Sequence, residues 1–138
     1  MNHMGFRHTD SVVWATWTAA ALLAVVVVLA VAGVPSADLH GPLHRFGIMD
    51  PACGGTRSVY LFSHGDLVRA LRYNPAGPIV VLAAALLAVR AVAGRLTGRW
   101  LTVAAPRHLV LLVAGIGLLA LEVNQQAHAD LLTSSWTG

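Results

Sequence analysis

Three long apolar runs separate shorter polar segments along the chain. They cover residues 12–34, 75–94 and 101–124. A helix needs about 20 predominantly apolar residues to cross the hydrocarbon core of a bilayer. The pattern therefore predicts three transmembrane helices, with an N-terminal tail of residues 1–11 and a C-terminal tail of residues 125–138.

Two of these runs allow a second interpretation. Residues 106–108, Pro-Arg-His, interrupt the third run, so that helix could instead begin near Pro106. The first run is followed by Val-Pro-Ser-Ala at residues 34–37, which resembles a signal-peptide cleavage region. The apolar region of a signal peptide is only about 7–15 residues long, and the greater length of the first run favours a retained helix.

The composition indicates that lipid is the solvent for these runs. Of the 138 residues, 57% are hydrophobic and 11% are charged, and the mean hydropathy is +0.68. An average soluble domain has about 25% charged residues, so both a soluble globular domain and a disordered chain are excluded. All 9 basic residues are Arg, which together with the many Ala and Val residues is typical of a GC-rich bacterial gene. We therefore expect a bacterial inner-membrane protein.

The distribution of arginine predicts the orientation in the membrane. The linker of residues 95–100 and its flanks contain several Arg residues and no acid, whereas the chain from Glu122 onward contains acids and no Arg. The positive-inside rule places such a linker in the cytoplasm. Three spans then put the N-terminus in the cytoplasm as well, and residues 35–74 on the outer side.

Residues 35–74 do not have the pattern of a plain loop. Thr56 is a candidate N-cap for a short helix that ends at Ser63, and Asp66 is a candidate N-cap for an amphipathic helix that ends at Tyr73. Both helices are too short to be stable alone in water. We expect interfacial or re-entrant helices packed against the spans, so the predicted fold class is an all-α membrane protein.

The same segment carries an ordered set of residues. Asp50-Pro51-Ala52-Cys53-Gly54-Gly55-Thr56-Arg57 is followed by Gly65-Asp66, by Ala70 and by Asn74-Pro75. This set resembles the domain-of-unknown-function 2752 family of small prokaryotic membrane proteins, whose pattern is C-P-x-C-G-x-T-R, then G-D, an Ala, and N-P before a hydrophobic helix. The resemblance implies a polytopic membrane protein and no known reaction. Asp50 stands where the family pattern has its first Cys, so a dithiol pair cannot form within this chain.

An anion site is one chemistry that the motif suggests. Gly54 and Gly55 can present backbone N–H groups before a helix N-terminus, which attracts anions. Thr56 and Arg57 would add donors suited to the phosphate of a lipid headgroup. The alternative is structural, and a lone Gly-Gly pair favours it: the glycines form a tight turn, while Arg57 caps a neighbouring carbonyl or pairs with Asp50.

A reactive thiol is the second chemistry. Cys53 precedes a helix N-terminus and has Arg57 four residues further on, and both features lower the pKa of a thiol. His64 or His44 could supply the base. The alternative is a small buried residue in a tight turn, which we favour.

The sequence favours neither a metal site nor a transport pathway. The metal-ligating side chains of the segment are His40, His44, Asp50, Cys53 and His64. Their spacing matches no standard zinc motif. The polar residues 122–126 fall at the end of the third run, where hydrated side chains are ordinary. We predict no metal and no cofactor.

The sequence leaves two functions open and does not decide whether the protein is an enzyme. The first, which we favour, is a non-enzymatic membrane subunit or interaction protein that contacts lipids and packs with another membrane protein or with itself. The second is an enzyme or binding protein that acts on a phosphate-bearing lipid through residues 53–57. We expect no nucleic-acid partner, because no Lys/Arg-rich block exists.

Overall fold

The computed structural model describes residues 3–35 and 49–134. Its elements in chain order are β1 (His3–Arg7), α1 (Val13–Ala32), α2 (Gly55–Ser63), α3 (Leu67–Tyr73), α4 (Ala76–Thr97), β2 (Trp100–Ala104), α5 (Arg107–Ala127) and α6 (Ala129–Thr133). The described part of the chain is mostly helical, with three long helices and shorter helices between the first two. This confirms the predicted fold class. The two short strands were not predicted.

Helices α1, α4 and α5 are each long and apolar enough to cross a membrane. They correspond to the three predicted spans and are compatible with a multi-pass membrane protein. Few of their side chains are buried inside the molecule, and exposed Leu and Val side chains cover their surfaces. An apolar surface of this extent is typical of helices that are solvated by lipid.

Helices α1 and α4 pack side by side as an antiparallel pair. Ala15 and Ala19 of α1 are buried, as are Ala84 and Ala91 of α4. Small side chains let two helix backbones approach closely, and in lipid such close packing holds helices together. The short helix α2 contacts both members of the pair and is thereby packed onto this framework.

Strands β1 and β2 form an antiparallel sheet at one end of the α1–α4 pair. The register runs from His3 opposite Ala104 to Arg7 opposite Trp100. Trp100 packs directly on Gly94 of α4, where an added Cβ atom would lie 2.5 Å from the Trp100 ring. We call this end of the molecule, with β1, β2 and the residues that join them to the helices, the sheet end.

A nearly buried ion pair joins the residues before α1 to α4 at the sheet end. Arg90 of α4 donates to the Asp10 carboxylate at 3.1 Å, and the two side chains are only 12% and 10% exposed. Arg90 Nε also donates to the Leu101 carbonyl in β2 at 2.6 Å. The other Asp10 oxygen accepts a hydrogen bond from the Thr16 hydroxyl at 2.8 Å. The charged group inside the second span is therefore fully partnered, as such groups in membrane helices generally are.

The third long helix begins later than predicted from the apolar run of residues 101–124. Residues 101–104, predicted as the start of this span, belong to β2, and α5 begins at Arg107. Pro106 occupies the N-cap position in extended conformation. A proline has no N–H and disfavours helix in the residue before it, so a helix does not continue through this point. The helix then continues to Ala127 rather than ending at residue 124.

The two predicted tails contain regular structure. Strand β1 lies within residues 1–11, and residues 125–134 contain the end of α5 and the short helix α6. The remaining residues of both predicted tails lie outside the described part of the chain. Because α5 runs away from the sheet end, α6 reaches the opposite end of the molecule, where it meets α2.

Candidate functional site

The motif segment begins with a tight turn over residues 50–54. The Asp50 carboxylate accepts a hydrogen bond from the Ala52 N–H at 2.8 Å, and the Asp50 carbonyl accepts one from the Cys53 N–H at 3.0 Å. The Gly55 N–H donates to the Ala52 carbonyl at 3.0 Å. Aspartate favours turns because its side chain bonds the backbone two residues on. Asp50, the residue that departs from the family pattern, therefore helps to close the turn.

Gly54 is required at the end of this turn for two reasons. Its φ is +71°, a left-handed conformation that glycine adopts without strain. A Cβ atom there would lie 2.8 Å from the Tyr73 carbonyl oxygen and 2.6 Å from the Leu132 side chain. Gly54 is also the N-cap of α2, whose first turn contains Thr56. The predicted N-cap at Thr56 is therefore wrong. The helix starts earlier, at the point where the Gly54 backbone lies against the Leu132 side chain.

Asn74 ties the turn to the start of α4. The side chain is buried, and its Nδ2 donates to the carbonyls of Pro51 and Cys53, each at 2.9 Å. Its Oδ1 accepts a hydrogen bond from the Ala76 N–H at 2.9 Å. Buried backbone groups and the first N–H groups of a helix both need such partners. Asn74 supplies all three at once, and Pro75 follows it as the N-cap of α4.

Ser58 and Gly77 bring α2 into close contact with α4. Ser58 is fully buried, and its Oγ lies 2.8 Å from the Ala70 carbonyl oxygen and 2.6 Å from that of Asn74. The hydroxyl donates its one proton to these carbonyls at the end of α3. A Cβ atom at position 77 would collide with Ser58 Oγ. Neither residue stands out in the sequence pattern.

Gly65 and Asp66 connect α2 to α3. Gly65 has a φ of +84°, and the Asp66 carboxylate accepts a hydrogen bond from the Arg69 N–H at 3.0 Å. The predicted N-cap of the second short helix is thereby confirmed. This helix ends at the buried Tyr73, directly before Asn74.

Cys53 lies in a small apolar core. It is 4% exposed and belongs to a cluster with Met49, Leu61, Ala70, Tyr73 and Leu132. Burial raises the pKa of the Cys53 thiol, and the charges of Asp50 and Glu122 act in the same direction, whereas Arg57 and a backbone hydrogen bond act against it. A raised pKa keeps a thiol protonated and poorly nucleophilic.

His64 lies at the other end of α2 from Cys53. It is exposed, and its ring centroid is 4.3 Å from that of Tyr60. The 9 residues of α2 separate the two, a length of about 13 Å along the helix axis. This distance is too long for His64 to take a proton from Cys53. His44, the other candidate base, lies outside the described residues.

Arg57 places its guanidinium on the C-terminal end of α6. Its Nη1 donates to the carbonyls of Leu132 and Ser134, each at 3.3 Å. Its Cζ lies 5.8 Å from the centre of the Tyr73 ring. Arginine near a helix C-terminus satisfies carbonyls that have no partner within the helix. This is the carbonyl-capping role that the sequence analysis weighed against anion binding.

The four candidate anion-binding residues do lie together at the start of α2. They are Gly54, Gly55, Thr56 and Arg57. However, the Gly55 N–H and the Arg57 guanidinium are already engaged by carbonyl groups of the chain. The geometry therefore favours the structural interpretation, and an anion site here stays a prediction.

The segment with this geometry is also the part of the chain that matches a known family. The family model described as "Protein of unknown function (DUF2752)" matches residues 42–89. This part of the chain is therefore similar to the DUF2752 family. The match includes α2, α3 and the first part of α4, and it confirms the resemblance found in the sequence. No curated protein and no solved structure matches the chain.

We call residues 49–74, the described part of the match that ends at Asn74, the DUF2752 segment. The end of α5 meets this segment through a polar side chain. Gln126 Oε1 accepts a hydrogen bond from the Met49 N–H at 3.4 Å. Gln125 is fully buried, and neither of its amide atoms has a hydrogen-bond partner, nor has the buried Asn124 Nδ2. We expected these residues at a hydrated boundary. Gln125 is buried instead.

The described residues include no grouping of three His, Cys, Asp or Glu side chains that could hold a metal ion. Asp50, Cys53 and His64 are all described, and the structure does not gather them. His40 and His44 lie outside residues 3–35 and 49–134.

Proposed function

We propose that this protein is a non-enzymatic subunit or interaction protein of the bacterial inner membrane. The exposure of α5 is the observation that carries the proposal. Every residue from Leu109 to Ala120 is exposed, and in α5, all of which is described, only Gln125 is buried. In this proposal, α5 is exposed because its surface is the one that packs against a helix of another membrane protein.

A gap between α5 and α4 supports this proposal. An apolar recess of about 330 Å³ lies between the two helices, and its lining includes Val59, Gly77, Val80, Leu118 and Leu121. The recess is open to the surroundings of the molecule, so lipid chains or the side chains of a partner would fill it. In addition, Gly115 and Gly117 of α5 have open space above their backbones. Small residues permit the close approach of a second helix in lipid.

The DUF2752 segment supports a structural rather than a chemical role. Asn74, Ser58 and Arg57 direct their polar groups at carbonyls of the same chain, and the Cys53 thiol is buried. In this proposal the segment is a rigid cap that holds the α1–α4 pair and the end of α5 together. It thereby sets the position from which α5 meets its partner, which is another membrane protein or a second copy of the chain.

Photo-crosslinking in intact membranes tests the proposal. A photoreactive amino acid replaces Leu112 in α5 or, as a matched control, Val28 in α1; the native side chains are 57% and 61% exposed. We expect a protein adduct of one discrete mass from position 112 and none from position 28. Co-expression of two differently tagged copies identifies an adduct of the chain with itself. Lipid adducts alone at both positions would contradict the proposal.

A further inference from the structure

The sheet end carries an exposed apolar face. Residues directly opposite each other in an antiparallel sheet lie on the same face, and the register pairs Phe6 with Leu101. Val103, two residues on, shares that face. These three side chains are 64%, 40% and 61% exposed. The opposite face carries Trp100, which packs on α4. The face of Phe6, Leu101 and Val103 stays exposed.

Uncompensated positive charge lies near this face and on the other side of the sheet, where Arg7 is opposite Trp100. Four exposed arginines lie in the sheet or within a few residues of it: Arg7, Arg95, Arg99 and Arg107. The guanidinium of Arg99 lies over the Phe6 ring at 4.7 Å, at the edge of the apolar face. The only acid in residues 3–10 and 94–108 is Asp10, and Arg90 already neutralises it.

The position of the sheet determines what such a surface meets. It joins the end of α4 to the start of α5 and precedes α1, so all three long helices start or end beside it. In a bilayer this is the level of the lipid headgroups. A two-stranded sheet has open backbone edges, which need water or headgroups and cannot enter the hydrocarbon core. An apolar face with arginines near it is the combination that binds an anionic membrane interface.

We propose that the sheet end is a binding surface for anionic phospholipid headgroups. The apolar face of Phe6, Leu101 and Val103 lies at the boundary between headgroups and acyl chains, and the four arginines bind the lipid phosphates around it. This proposal rests on the proposed function only in requiring that the helices span a membrane. It assigns a role to a part of the chain outside the DUF2752 match.

Lipid selectivity is the first test. The purified protein is reconstituted into vesicles of equal phosphatidylglycerol and phosphatidylcholine, and spin-labelled lipids report its preference for the anionic lipid. In the double variant Arg99→Gln/Arg107→Gln, we expect the preference for the anionic lipid to fall by up to about fivefold for each arginine removed. In the native protein, we expect the same preference to weaken in high salt. Arg69→Gln/Arg72→Gln, two exposed arginines of α3 at the other end of the molecule, is the matched control. Equal preference in both variants would overturn the proposal and would indicate an acidic protein as the partner of this surface.

The depth of the sheet is the second test, and it separates this proposal from the proposed function. In a Cys53→Ala background, a bimane label is attached to Val103→Cys or to Leu112→Cys, and vesicles with brominated acyl chains quench labels that contact lipid. We expect quenching at both positions. Quenching at 112 with none at 103 would overturn the role of the sheet and leave the membrane span intact. Quenching at neither position would overturn the membrane assignment itself.

Discussion

Replacing Asn74 by alanine is the most informative single change in the DUF2752 segment. The substitution removes three hydrogen bonds of 2.9 Å, to the carbonyls of Pro51 and Cys53 and from the Ala76 N–H. Each such bond contributes about 1 kcal/mol, and a buried backbone group left without a partner costs more. We therefore expect the closed turn to lose about 3 kcal/mol of stability.

The buried thiol of Cys53 reports this loss directly. Cys53 is the only cysteine and is 4% exposed, so its alkylation by a maleimide in mild detergent requires the turn to open. A loss of about 3 kcal/mol raises the alkylation rate about 100-fold. Asn124→Ala is the control, because the Nδ2 of that asparagine has no hydrogen-bond partner in the structure. If Cys53 is alkylated at the same rate in Asn74→Ala, in the native chain and in the control, the reasoning is refuted.

Three further predictions concern other parts of the structure, and each is measured by thermal unfolding in detergent. Gly54→Ala combines a left-handed φ with overlap on Leu132, and we expect it to lower the free energy of unfolding by about 3 kcal/mol. Gly65→Ala is also at a left-handed position but has open space around it, and we expect a loss of only about 1 kcal/mol. Equal losses in the two variants would contradict this explanation. Burial alone would raise the pKa of Asp10, but its hydrogen bonds and Arg90 hold that pKa below the ordinary value of 3.8. The contribution of ionised Asp10 to the free energy of unfolding is therefore complete above pH 3.8, and it is lost as the pH falls through the lowered pKa. Asp10→Asn costs about 3 kcal/mol at neutral pH and removes this acid dependence; an unchanged acid profile would show that another group controls it. Arg57→Ala lowers the midpoint of unfolding and exposes α6 to protease without changing the co-purified phospholipid, whereas loss of that phospholipid at unchanged stability would favour the lipid-phosphate hypothesis.

The sequence predicted the long helices because their apolar runs are a direct consequence of bilayer thickness. It also predicted the short helices and the Asp66 cap, which depend on local signals only. Two helix starts differ from the favoured predictions. Thr56 was predicted as the N-cap of α2 but lies in its first turn, and α5 was predicted to start at residue 101 but starts at Arg107. In both places the deciding factor is a single residue, Gly54 or Pro106, whose effect on the backbone overrides the neighbouring pattern.

The contacts that assemble the motif were beyond the sequence for a different reason. Asn74 and Pro51 are 23 positions apart, and Arg57 and Leu132 are 75 positions apart. The pairing of β1 with β2 likewise joins the residues before α1 to the residues after α4, which are more than 90 positions apart in the case of Arg7 and Trp100. No local spacing encodes such partners in one sequence. The motif residues were found by their pattern, but the hydrogen bonds that they make with distant parts of the chain required the fold.

Hydrogen exchange across residues 49–74 tests the structural role of the DUF2752 segment most directly. The protein is stripped of bound phospholipid in detergent, and the exchange of backbone amides is followed by mass spectrometry. The structure predicts slow exchange at the amides of Cys53, Gly55 and Asn74, which donate to carbonyls within the segment, and no change when phospholipid is added. Exchange at the rate of a free peptide, with protection only after phospholipid is restored, would contradict the structural role and would make the segment a lipid site.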